Sequence, residues 1–302
     1  MKKFLKNILV YFLTVGILLF VYFQLGTFVA EKCYGVNTKQ QIEFSFANAD
    51  AREYNKLFLG NSRVYRGINP DMIDAHTYNF AHDNDSFNQC YYKLKHVLDG
   101  GHKIDTLFIG ADYFQFSIFA RDRNYIYDYL LDNAYYKDYN ESYLTEQVEN
   151  AKQLFYNKQT LLLTALTRIA LHQEVKGEIK YNGQFTFDSK AKPDDTVQRK
   201  TDVRDIQKRY YNEVVELCHK NNIRVIAFTM PVREGEMQSY TKEDIARIQD
   251  IIKAPLSNGD QYVDMTCVDE FRDYKDYTDI THLNAAAADR FTVYFYNRVK
   301  KS

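Results

Sequence analysis

Polar and apolar positions fall into two regimes along this chain. From Ile8 to Ala30 the residues ILVYFLTVGILLFVYFQLGTFVA form a 23-residue run in which Gln24 is the one strongly polar member. A helix built from it is apolar on both faces, and at ~1.5 Å per residue it spans a bilayer core of ~30 Å. After a stretch of about residues 31–55 the pattern changes to short apolar runs separated by amphipathic ones. LFLG at 57–60, HTYNFA at 76–81, IDTLFIGAD at 104–112, IRVIAFTMPV at 223–232 and QYVDMT at 261–266 read as buried strands. Asn69-Pro70-Asp71 opens a short helix, and a longer one runs from Ser86 as N-cap to the Gly100-Gly101 stop with Leu94, Val97 and Leu98 on one face. Helical spacing recurs over about 202–220, 241–253 and Asn284 to about Lys300, and over 141–173, where Leu144, Val148, Ala151, Leu154 and Phe155 fall in register. EIKY and QFTF flank Asn182-Gly183, a hairpin signal, and the polar residues 187–200, which include Pro193, read as a loop.

Strands alternating with helices predict a parallel sheet covered on both faces. The expected fold class is α/β: a three-layer, flavodoxin-like sheet preceded by one transmembrane helix. The expected organisation is a cytoplasmic tail (1–7), an anchor (8–30), a linker (31–55) and one outer domain (56–302) that carries an inserted helical and hairpin lobe at about 113–200.

Composition and charge narrow the setting. The 302 residues are 45% hydrophobic and 26% charged, enough apolar content for a packed core. Lys+Arg (39) balances Asp+Glu (40), so there is no basic field for a nucleic-acid partner. Lys2, Lys3 and Lys6 precede the apolar run and no acid appears before Glu31, which places the N-terminus in the cytoplasm and the bulk of the chain outside, at the cell membrane. Phe28 stands where a signal-peptide cleavage site wants a small residue, so an uncleaved single-pass anchor is expected. The cysteines Cys33, Cys90, Cys218 and Cys267 have no CxxC spacing and no paired histidine, so neither a metal nor a cofactor is expected, and Cys90 and Cys218 fall on helical patterns as packed hydrophobes. His82-Asp83-Asn84-Asp85 lacks the glycine and distant glutamate of a calcium loop. The tyrosines Tyr125, Tyr127, Tyr129, Tyr135, Tyr136, Tyr139 and Tyr143 either stack on sugar rings or reflect a compositional bias.

Ligands of open α/β sheets bind at the carboxyl ends of the strands. Three polar segments are expected there: Gly60-Asn61-Ser62-Arg63 after the first strand, Gly110-Ala111-Asp112 at the end of the third, and Asp279-Ile280-Thr281-His282 before the last helix. A serine on a tight glycine turn exposes its hydroxyl, and an aspartate three residues before a histidine can orient the imidazole, which together make a nucleophile, a base and an orienter. Arg63 is a candidate ligand for an anionic sugar or phosphate, with a structural ion pair as its alternative.

LFLGNSRVYRGINPDMI resembles the first block of the SGNH (GDSL-like) hydrolase superfamily, DITHLN resembles its last block, and FIGAD lies where the third is expected. With the anchor, the resemblance is closest to the branch that includes alginate O-acetylation proteins and the teichoic acid D-alanylation protein. It covers about 55–120 and 201–297. The resemblance implies Ser62 as nucleophile, His282 as general base, Asp279 as the residue fixing its tautomer, and the Ser62 N–H as an oxyanion donor. The chain departs from the pattern in two places. No second-block glycine is evident in NFAHDNDSF, and Asp112 replaces the third-block asparagine. An ionised aspartate cannot donate to an oxyanion, so either Asp112 points elsewhere or the second donor comes from the segment around His82 to Ser86, with Asn84 the candidate. Asp112 is then a candidate substrate-binding residue with Arg63. The resemblance further implies acyl, chiefly acetyl, transfer or removal on an envelope or secreted polysaccharide, beside a multi-spanning membrane acyltransferase. The competing reading is an inactive scaffold or glycan-binding accessory protein.

Overall fold

The computed structural model describes residues 2–34, 38–118, 162–163, 166–167, 169–171, 177–187 and 197–301. Most of the expected helix at 141–173, all seven tyrosines from Tyr125 to Tyr143 and most of the loop at 187–200 lie outside the described residues. The chain divides into two compact units, residues 1–38 with 135–177 and residues 39–134 with 178–302.

The first unit holds helix α1 (Lys2–Tyr34). Its segment Lys2–Gly26 has a mean hydropathy of 2.3 and is long and apolar enough to cross a membrane. Leu9, Phe12, Leu18 and Phe20 all stand exposed along it.

The second unit is an α/β fold in which helices flank a central parallel sheet. Its elements are α2 (Thr38–Ala51), β1 (Lys56–Leu59), α3 (Ser62–Gly67), β2 (Thr77–Asn79), α4 (Phe87–Asp99), β3 (Thr106–Gly110), β4 (Gly177–Ile179), β5 (Phe185–Phe187), α5 (Asp205–Lys220), β6 (Arg224–Phe228), α6 (Glu234–Met237), α7 (Lys242–Lys253), β7 (Gln261–Val263) and α8 (Ala285–Lys301). Five parallel strands make the sheet in the order β2-β1-β3-β6-β7, and β4 and β5 form a separate hairpin. Counted along the sheet strands alone this is a 2-1-3-4-5 winding, whose order reverses between β1 and β3, the place where such folds open a crevice.

Side chains alternate across the strands, and each set finds its own layer. Phe58, Phe108 and Phe228 share a cluster with Phe291 and Phe295 of α8. Phe58 stacks on Phe108 with centroids 4.3 Å apart, and Phe228 meets Phe295 at 4.5 Å. Leu57, Leu59, Leu107, Ile109, Val225 and Ala227 occupy the alternate positions and are buried outside that cluster. Helices α4, α5 and α7 are tied together by Phe87 against Tyr211 at 5.0 Å and by the Tyr211 hydroxyl donating to the Ile252 carbonyl at 2.9 Å. Cys90 and Cys218 are fully buried, and burial pushes both thiols well above their usual pKa.

The stretch expected as a linker departs from that expectation. Helix α2 occupies most of it and buries Ile42, Phe46 and Ala49, spaced four and three residues apart. Phe46 packs edge-on against Phe80 at 4.9 Å, and the Tyr78 hydroxyl donates to the Ser45 carbonyl at 2.7 Å, so α2 covers the end of β2. The Asn182-Gly183 turn is present between β4 and β5. Gly183 has φ +90°, and a Cβ on it would sit 1.9 Å from the Asn79 carbonyl oxygen, so no larger residue lets this turn lie against β2. The Asn79 N–H donates to the Asn182 carbonyl at 3.0 Å, and the Asn182 side chain donates to Asn69 at 2.8 Å.

Candidate active site

The site begins where β1 ends. Gly60 has φ +154°, and a Cβ there would stand 2.7 Å from Val64 Cγ2, so glycine is what allows α3 to start directly above the strand. Asn61 caps α3: its Oδ1 accepts the Arg63 N–H at 2.9 Å, and its Nδ2 donates to Asp112 Oδ2 and Gln115 Oε1, both at 3.0 Å. Ser62 is therefore the first helical residue, held at the carboxyl edge of the sheet. The first-turn N–H groups of a helix have no intrahelical acceptor, so the Ser62 N–H is available to a ligand there.

The second half of the site is a tight loop before α8. Asp279 Oδ1 accepts the N–H groups of Thr281 at 2.8 Å and His282 at 2.9 Å, an Asx-type turn that folds the loop on itself. The Thr278 N–H donates to the His282 carbonyl at 2.9 Å, and Asn284 Oδ1 caps α8 by accepting the Ala287 N–H at 2.9 Å. This fixes the imidazole. His282 Nδ1 lies 2.8 Å from Asp279 Oδ2, and His282 Nε2 lies 2.8 Å from Ser62 Oγ, a residue 220 positions away in sequence. An ionised carboxylate only accepts hydrogen bonds, so Nδ1 carries the ring proton and Nε2 faces the serine with its lone pair. An imidazole held this way can take the hydroxyl proton as the oxygen attacks a carbonyl.

The electrostatics suit that chemistry. Burial raises the Asp279 carboxyl, but the hydrogen bond and charge of His282 and the two backbone N–H groups outweigh it and hold the group far below the usual carboxylate range. Burial also disfavours the His282 imidazolium and outweighs the pull of the Asp279 bond; the nearby Arg66 cation acts in the same sense as burial. His282 therefore stays below the ordinary 6.5 and is a neutral base at neutral pH.

Three other expected site residues are placed differently. Arg63 takes the alternative of a structural ion pair: its side chain is 3% exposed and paired with buried Glu236, because an unpaired guanidinium in that interior costs several kcal/mol. Burial raises the Glu236 carboxyl, and Arg63 more than reverses that, holding it below its usual value. Asp112 also points inward. It accepts from Asn61 and, at 2.8 Å, from the Met230 N–H, so it laces together the chain after β1, β3 and β6. Burial raises its pKa against the pull of Arg63. Asn84 is exposed with φ +60°, a left-handed conformation that asparagine tolerates, and among the described residues no hydrogen bond joins it to Ser62 or His282. Sequence reasoning missed Arg66 and Asp83. Arg66 Nη2 donates to both Asp83 oxygens at 3.0 and 2.8 Å, and its Nη1 lies 3.4 Å from His282 Nδ1 and 3.7 Å from Asp279 Oδ2. The signal available was its position four residues after Ser62, one turn along the same helix face.

No family's sequence profile matches the chain, and no curated protein matches it. Among solved structures it is similar to one described as a platelet activating factor from Streptococcus pneumonia, at 13% identity and a TM-score of 0.39, over 94% of this chain and 98% of that one. It is also similar to a GDSL-like lipase from Bacteroides thetaiotaomicron, at 12% identity and a TM-score of 0.41, over 86% of this chain and 97% of that one. Likeness at this level assigns no residue a role.

Proposed function

We propose that this protein is a membrane-anchored, extracytoplasmic serine esterase or acyltransferase of the SGNH type. It adds or removes acyl groups, chiefly acetyl, on an envelope or secreted polysaccharide. The observation that carries the reading is the hydrogen-bond chain Ser62–His282–Asp279, assembled at the carboxyl edge of a parallel sheet. Ser62 Oγ attacks the acyl carbonyl while His282 Nε2 takes its proton, and the Ser62 N–H donates to the oxyanion of the tetrahedral intermediate. Collapse breaks the acyl–oxygen bond, and the imidazolium returns its proton to the departing alcohol. Water or a sugar hydroxyl, deprotonated by the same imidazole, then attacks the acyl-serine and regenerates Ser62. A sugar acceptor makes the enzyme a transferase and water makes it an esterase.

Helix α1 supports tethering to a membrane, and the lysines at its start support a cytoplasmic N-terminus. A multi-spanning membrane acyltransferase that exports acyl groups is the matching partner, implied by the resemblance of the Ser62 and His282 blocks. The test is turnover of a chromogenic acetyl ester and of an acetylated glycan by the full chain in detergent. Wild type is expected to turn over and to be labelled at Ser62 by an acyl-type serine probe. Ser62→Ala is expected to lose about 10,000-fold or more in turnover with its circular dichroism unchanged. Equal activity in Ser62→Ala overturns the acyl-serine mechanism. Absence of both turnover and labelling in wild type transfers support to the inactive accessory reading.

A further inference from the structure

The hydrogen-bond chain uses one nitrogen of His282 for Ser62 and the other for Asp279, yet a cation and a second carboxylate stand against the same ring. Arg66 is 15% exposed and held on three sides. Asp83 takes Nη2 through both oxygens, the Arg66 guanidinium lies 5.3 Å over the Phe185 ring of the hairpin, and the Arg66 backbone carbonyl accepts from Gln184 Nε2 at 3.0 Å. Because Nδ1 carries a proton, it cannot accept from Arg66 at 3.4 Å; both donors instead converge on the Asp279 carboxylate. Resting on the serine-acyl reading, we propose that Arg66, anchored by Asp83, is a positioning residue that fixes Asp279 against the imidazole and balances the charge around it.

The two partners act on His282 in opposite senses. The Arg66 cation opposes an imidazolium, whereas the Asp83 and Asp279 anions favour one. Asp83 itself is pushed up by burial but held below its usual value, first by Arg66 and then by the charges of His82 and His282. Among the described residues, the charged groups that act most on the ring are Arg66 of α3, Asp83 of the loop after β2 and Asp279 of the loop before α8. Burial does most to keep the base unprotonated, Arg66 adds to it, and Asp83 opposes Arg66 so that the imidazolium does not become too costly.

The test follows the ring itself, so it does not depend on turnover. In full-length protein in micelles with isotope-labelled histidine, the His282 resonance is assigned by its loss in His282→Gln and titrated in Arg66→Gln, Asp83→Asn and the double variant. Arg66→Gln is expected to raise the midpoint by about one unit, Asp83→Asn to lower it, and the double variant to return near wild type. The pH profile of kcat/KM on the acetyl ester is expected to shift in step. Arg66→Lys keeps the charge without the fork; it is expected to leave the midpoint in place and to lower kcat with KM unchanged. Single variants that move the midpoint in the same direction, or not at all, overturn the proposal, and Arg66→Lys with wild-type kcat overturns the positioning role. If Arg66→Gln fails to fold, Asp83→Asn and Arg66→Lys decide on the same criteria. Opposed shifts without any ester turnover in wild type would sink the serine-acyl reading and leave the electrostatic balance standing.

Discussion

Arg63 and Arg66 lie three residues apart on one short helix, yet they head two ion-pair clusters of different kinds. Arg63 is 3% exposed and closed in by Glu236, which also accepts from Arg199 Nε at 3.3 Å and from the Tyr240 hydroxyl at 2.9 Å. Arg66 keeps an open side and meets Asp83, Asp279 and His282. In the closed cluster each charge is answered by another, and removing one strands the rest in a medium that solvates them poorly. In the open cluster the groups stay within reach of solvent, and their charges act on the His282 imidazole. Burial rather than residue type separates the two clusters.

Three measurements break or sharpen that contrast. The largest effect is expected on the open side, where Asp279→Asn presents an amide to Nδ1 and favours the wrong imidazole tautomer. Turnover is expected to fall by up to about 10,000-fold, by analogy with the serine-protease triad, while thermal unfolding changes little. A loss of the same size in stability would instead make Asp279 a structural residue. On the closed side the expectation inverts: Glu236→Ala removes the hydrogen-bonded partner of the buried Arg63 cation, leaving it the Asp112 carboxylate 4.0 Å away, and is expected to cost about 3–5 kcal/mol in denaturant unfolding. An unchanged unfolding midpoint would show that Arg63 reaches water more easily than its burial implies.

The smallest effect is a matter of pH. His282 is held below 6.5, so it remains a free base at neutral pH and kcat/KM is expected to stay level there and to fall only at a lower pH, tenfold per unit once protonation takes over. A group whose folded pKa is depressed takes up a proton more readily unfolded than folded, so acid below the unfolded value also erodes stability. An inflection above 6.5 would mean that Asp279 and Asp83 outweigh burial and Arg66.

Much of this architecture could be read along the chain. The five sheet strands, the Ser86 cap and Gly100 stop of α4, and the Asn182-Gly183 turn stand where their local patterns put them, with strand ends trimmed by a few residues. Ser62, Asp279 and His282 were legible because each sits on a short motif whose backbone hydrogen bonds are local: a capped helix start and an Asx turn. Helix α2 was not, because Ile42, Phe46 and Ala49 are too few, among Gln, Asn and Asp, to mark a buried face without the β2 edge that covers them.

By itself, then, the sequence determined the elements, their parallel winding and the three residues that meet at the sheet edge, since caps, turns and apolar periodicity act between near neighbours. Only the tertiary structure decided which charges are silent. Arg63 finds Glu236 across 173 residues, Asp112 turns toward Asn61 and Met230 instead of the open site, and Arg66 finds Asp83 and Asp279 rather than solvent. Charge placement is settled by the balance of desolvation against partners, and neither burial nor a distant partner is written in the residues beside it.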